Sequence, residues 1–253
     1  MTDRPYDPTL EAEYLTAFEL HSPDAIRRAL AAGASPVGLV NGQKPIDILI
    51  QMYTRSAQFA DCLRVLLDAG ASIDDPLLEA ALLDDEQTVQ RIAENAETLH
   101  RRLTVRSAYT SCTEVTALHL CAEFNSVRCA AALLEAGVDV NVRAGTDANG
   151  WGGQTPIFHA VNSNQNYCRP VMDLLVNAGA ALDVRLKGLV WGDDLDWETV
   201  LLDVTLFSYA QAGWYRQFHR READIVSNIA FLYRKRYGVD PPIRNVPNRY
   251  LAT

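Results

Sequence analysis

Internal repetition constrains this chain more than any other feature of its 253 residues. Four apolar stretches close on leucine, a short spacer and then glycine: Leu30-Ala-Ala-Gly33, Leu66-Leu67-Asp-Ala-Gly70, Leu133-Leu134-Glu-Ala-Gly137 and Leu174-Leu175-Val-Asn-Ala-Gly179. Cys129, Ala130, Leu133 and Leu134, like Val171, Leu174 and Leu175, fall at i, i+3, i+4 spacing, so each stretch reads as a helix with one buried stripe. The glycine after the last turn ends such a helix in the left-handed conformation, where a Cβ is disfavoured. Two endings have matching openings, Thr116-Ala-Leu-His119 and Thr155-Pro-Ile-Phe-His159. At these openings the threonine hydroxyl is expected to accept from the free N–H groups of a new helix, with Pro156 presetting φ in the first turn. A unit with one apolar stripe per helix buries it only against a neighbouring copy, so the pattern calls for a stacked array.

These openings and endings resemble the ankyrin-repeat family, whose units of about 33 residues run through a turn, a Thr-Pro-Leu-His helix start and a second helix ending Leu-Leu-x-x-Gly-Ala-Asp. The resemblance spans about Leu10 to Gly238 and implies an all-α solenoid of about six helix-turn-helix units with long β-hairpin connections. The approximate units are 9–41, 42–74, 75–113, 114–152, 153–196 and 197–238, followed by a Pro-containing tail, 239–253. Lys44-Pro45-Ile46-Asp47 stands at the helix start of the divergent second unit. The third keeps Pro76-Leu-Leu-Glu-Ala-Ala81 and a helix around Val89 to Ile92 but lacks a closing glycine, and 95–113 reads as a long irregular loop. The last is placed to open at Thr199, and it resembles the closing unit of stand-alone bacterial ankyrin-repeat proteins. For His119 and His159 the resemblance implies a structural role, the imidazole hydrogen-bonding the local turn.

Departures from regular spacing point to function, because a solenoid accommodates insertions in its loops. Thr116 to Gly137 is 21 residues, whereas Thr155 to Gly179 is 24 and Lys44 to Gly70 is 26. Extra residues therefore sit between the helices of units two and five, around 53–59 and 162–170. Two connections are also long: 142–153 with Asp147, Asn149 and Trp151, and 184–196 with Trp191, Asp193, Asp194 and Asp196. Both combine tryptophan with turn residues, so Trp151 and Trp191 are candidate partner anchors on exposed tips. The alternative is that each ring folds back over its own hairpin. The acidic run is read as a solvated face, a dock for a basic partner, or a hard-cation site, although it lacks the EF-hand spacing. A third candidate surface interleaves aromatics and cations at Trp214, Tyr215, Arg220 and Arg221, where cap stabilisation competes with ligand binding.

Catalytic chemistry finds no support, since there is no phosphate-binding glycine motif, no HExxH helix and no nucleophile in a recognisable context. Cys112, Cys121, Cys129 and His119 do not have the paired spacing of a zinc site, and no cofactor is expected. Five cysteines without a CxxC pair suit buried thiols in a reducing, cytoplasmic compartment. The polar opening and the lack of a long apolar run argue against a leader or a membrane span. Residues 1–210 carry 15 basic and 29 acidic side chains, and 211–253 carry 8 and 3. An acidic body repels nucleic acid and favours a basic protein partner. The sequence thus reads as a monomeric protein-binding module, either a scaffold or adaptor, or an inhibitor of immunity type that occludes a basic enzyme.

Overall fold

The computed structural model describes residues 8–107, 109, 112–193 and 195–242. Consecutive helices pack in pairs: α1 (Pro8–Glu19) with α2 (Pro23–Ala32), α3 (Pro45–Gln51) with α4 (Phe59–Asp68), and α5 (Pro76–Leu83) with α6 (Glu86–Ile92). After a short α7 (Ala96–Leu99) come α8 (Ala117–Phe124) with α9 (Val127–Glu135), α10 (Pro156–Val161) with α11 (Arg169–Asn177), and α12 (Leu206–Ala212) with α13 (Glu222–Tyr237). The openings α5, α8, α10 and α12 stack in succession, as do the closing helices α6, α9 and α11. This side-by-side burial is what the single apolar stripe on each helix requires. Gly33, Gly70, Gly137 and Gly179 all take positive φ at the ends of their helices.

Two apolar cores run through the stack. One, built on Phe18, Leu49, Leu63 and Leu66, serves the first two pairs. The other extends from Leu77 through Leu118 and Ile157 to Phe218 and Leu232. Half-buried Leu78 and Val105 touch both, which joins the two into one body.

The connections depart from the sequence reading in three places. The expected loop over 95–113 contains α7 and a short antiparallel hairpin, β1 (Leu103–Val105) with β2 (Cys112–Val115). Asn95 caps α7 by accepting from the Thr98 N–H at 3.1 Å, a polar start that needs no Thr-Pro. Connection 142–153 holds only an isolated bridge, Thr146 to Gly152. The next is a full antiparallel hairpin, β3 (Arg185–Trp191) with β4 (Thr199–Thr205), so Thr199 starts a strand and not a helix. Thr205 opens the last helix pair instead: its N–H donates to Ser208 Oγ (2.8 Å) while the Ser208 N–H donates to Thr205 Oγ1 (3.1 Å). Each partner satisfies a donor that the first helical turn leaves free.

Candidate functional site

The two histidines occupy different positions in their units. His119 lies three residues after Thr116, and its Nδ1 accepts from the Thr116 N–H at 3.1 Å while Nε2 donates to Gln154 O at 3.0 Å. It clamps the start of α8 to the next connection. Burial pushes its pKa down to about 3, with neighbouring His159 adding to the shift. His159 lies four residues after Thr155, and Phe158 takes the clamp position. One residue is about 100° of helix, so this ring faces elsewhere. Its Nδ1 lies 3.3 Å from Glu123 Oε2, so the expected local-turn role does not hold for it. Without an imidazole at Phe158, the buried Thr155 hydroxyl has no hydrogen-bond partner, contrary to the capping role read from the sequence.

Glu123 is the hub of a buried polar cluster. Arg55, from the long loop after α3, donates to Glu123 Oε1 from Nε (3.2 Å) and Nη2 (3.0 Å), to Ser107 Oγ (3.1 Å), and stacks on Phe124 at 4.4 Å. Burial raises the Glu123 pKa, but the Arg55 charge and the His159 hydrogen bond outweigh it and hold the carboxyl below its ordinary value. These residues wall a solvent-open cleft together with Tyr53, Tyr109, Asn162, Ser163, Trp191 and Arg220.

The C-terminal segment reaches back across the array to close one side of this cleft. Tyr53 donates to Phe218 O at 2.7 Å, and Arg220 donates to Asn162 O at 2.6 Å and to the Tyr53 hydroxyl. The protein's own aromatic rings, Tyr53, Tyr109 and Trp191, therefore occupy part of the cleft wall.

Within that wall, Trp191 is 4% exposed and stacks on Phe218 with centroids 4.3 Å apart, so it anchors the hairpin to the cap and does not tip an exposed loop. Trp151 is half-buried and lies over Gly188, where a Cβ would come within 2.5 Å of its ring. Exposed Asp147 builds the turn beneath it, accepting from the N–H groups of Asn149 and Trp151, each at 2.8 Å. Those bonds, led by the one from Trp151, hold its carboxyl below the usual range. Lys187 in turn donates to Asn149 O at 2.6 Å.

The structure brings part of the anticipated set together. Asp147, Trp151 and Asp193 share a shallow groove with Leu189 and Val190. Leu202, opposite Gly188 in the hairpin, and Val200, opposite Val190, are exposed beside it. Asp196 is exposed on the hairpin turn, and Asp194 lies outside the described residues. Trp214 and Tyr215 are 42% and 51% exposed on the cap. Arg221, by contrast, is engaged with Asp224 at 2.7 Å. Arg55, Glu123 and Tyr53 were not anticipated. A charged pair inside apolar surroundings and an arginine in an overlong loop were the available signals.

All five cysteines are buried, with Cys168 pushed up to about 12 by burial. No group of three His, Cys, Asp or Glu among the described residues is placed to hold a metal. No described helix is long and apolar enough to cross a membrane. In comparisons with known proteins, residues 77–188 match the family model described as ankyrin repeats (3 copies). No curated protein matches the chain.

Proposed function

This chain is an ankyrin-repeat protein over residues 77–188, and from that premise we propose that it is a non-catalytic protein-binding module whose helix pairs outside the matched segment extend the array to six units. The partner docks in the groove between connection 142–153 and the β3–β4 hairpin. The observation that carries this reading is convergence: Asp147 and Trp151 from one connection and Asp193 from the next line one groove flanked by exposed Val200 and Leu202. An aromatic body beside aliphatic side chains and carboxylates is the composition of an interface with an apolar centre and a polar rim. The acidic rim, on a body carrying an excess of 14 acidic side chains over residues 1–210, selects a basic partner. An adaptor and an inhibitor of a basic enzyme share this surface.

The test is affinity capture from native lysate with wild type and a Leu202→Lys, Asp193→Lys double variant, after confirming equal melting temperatures. A partner held by the wild type at low salt, lost from the variant, and weakened about tenfold or more at high salt supports the groove. A partner retained equally by both overturns it.

A further inference from the structure

The cleft walled by Arg55, Glu123, His159, Trp191 and Arg220 is separate from the docking groove, and its chemistry is unbalanced in a specific way. Arg55 is neutralised by Glu123 at 3.0 Å. The described contacts of Arg220 are neutral oxygens: the carbonyls of Asn162 and Phe218 and the Tyr53 hydroxyl. Among the described residues it has no carboxylate partner, although it is partly buried and lies between the rings of Tyr53 (5.4 Å) and Trp191 (5.7 Å). Two buried polar atoms without a hydrogen-bond partner belong to the same walls, Trp191 Nε1 and His159 Nε2. Buried polar groups are normally paired, and the exceptions call for an explanation.

We propose that this cleft binds a monocarboxylate group, held by the Arg220 guanidinium and the Trp191 indole N–H. A carboxylate supplies what the site lacks: a charge for the cation and an acceptor for the Trp191 indole N–H. One negative charge fits better than two, because the Glu123 carboxylate stands in the same wall and repels a dianion. The inner space is small, so the carboxylate goes in and its organic body lies toward Tyr53 and Tyr109 at the wall. Two sources share this chemistry, a free small acid and the C-terminal carboxylate of a polypeptide. Neither depends on the groove over Trp151 being a protein interface.

The experiment follows the indole N–H signals of the full-length, 15N-labelled protein, with Trp191 assigned through Trp191→Phe, which keeps the stack on Phe218. The probes are butyrate, acetyl-Ala-Ala-Leu with a free acid, and the same peptide as its C-terminal amide, each titrated at constant ionic strength. The expected result is a saturable shift of the Trp191 signal with at least one acid, no shift with the amide, and affinity reduced about tenfold or more in Arg220→Gln. Butyrate as strong as the peptide acid identifies a small-acid site, and a peptide acid about tenfold tighter identifies a chain-end site. Arg220→Lys separates folding from recognition: it keeps the charge and should retain weak binding if the site is real. Failure of both acids to move the Trp191 signal, an equal shift from the amide, or unchanged affinity in a folded Arg220→Gln protein overturns the proposal.

Discussion

The starts of α8 and α10 look alike in sequence and behave differently in the fold. In the first, Thr116 and His119 form a closed local unit, with both imidazole nitrogens engaged. In the second, the histidine comes one residue later, leaves Thr155 without a partner, and joins a cluster with Glu123 and Arg55 that spans three helix pairs. A single-position slip thus changes a structural clamp into a cleft wall. The comparison shows that residue type within a repeat does not settle its role; the helical angle at which it leaves the backbone does.

The sharpest way to break this contrast is to remove the charge that His159's cluster depends on. Arg55→Met leaves the buried Glu123 carboxylate with only His159, and breaking a buried pair in this way is expected to cost about 3 to 5 kcal/mol, read from denaturant melts. A loss below about 1 kcal/mol would mean the cluster is well hydrated and the two histidines differ less than their geometry suggests.

Next is His119→Ala, which removes both bonds of the clamp and opens a cavity, for an expected loss of about 2 to 4 kcal/mol. The same variant should change the pH response. The folded-state pKa of His119 lies near 3, below the usual 6.5, so between these values the unfolded chain binds the extra proton. The stability from keeping this ring neutral is complete above pH 6.5 and falls as pH drops toward 3, by about 1.4 kcal/mol per pH unit. His21, lowered to about 4 by burial and by the nearby Arg55 charge, acts in the same direction. Melting curves from pH 7 to 4 should therefore be less steep in pH for His119→Ala than for wild type.

The smallest effect is the most diagnostic. Thr116→Ala should cost about 1 kcal/mol, the ordinary value for a lost helix cap. Thr155→Ala, at the equivalent position, removes a hydroxyl with no partner and should be neutral to within about 0.5 kcal/mol, or slightly stabilising. Equal losses at the two sites would show that Thr155 does cap α10.

Much of the array was legible because its cues are local. Thr116, Pro156 and the closing glycines act on their own helix ends, and each apolar stripe follows the 3.6-residue period. The last pair was misplaced at Thr199, even though Thr205-Leu-Phe-Ser208 repeats the spacing of Thr116 to His119 with serine in place of histidine. The β4 strand was missed because Leu201, Leu202 and Thr199 suit a helix as well as a strand, and only pairing with β3 decides between them. Asp147, Trp151 and Asp193 were identifiable as turn and aromatic residues, but their shared groove was not.

The sequence by itself determined that this chain stacks helix pairs, where most of those helices stop, and that one end is basic on an acidic body, since these follow from periodicity, turn chemistry and composition. Tertiary structure alone decided that Trp191 is buried on Phe218, that Arg220 meets Tyr53, and that Arg55, Glu123 and His159 form one cluster. Those contacts join residues from different units, up to 167 positions apart, and no local pattern encodes a pairing over such a separation.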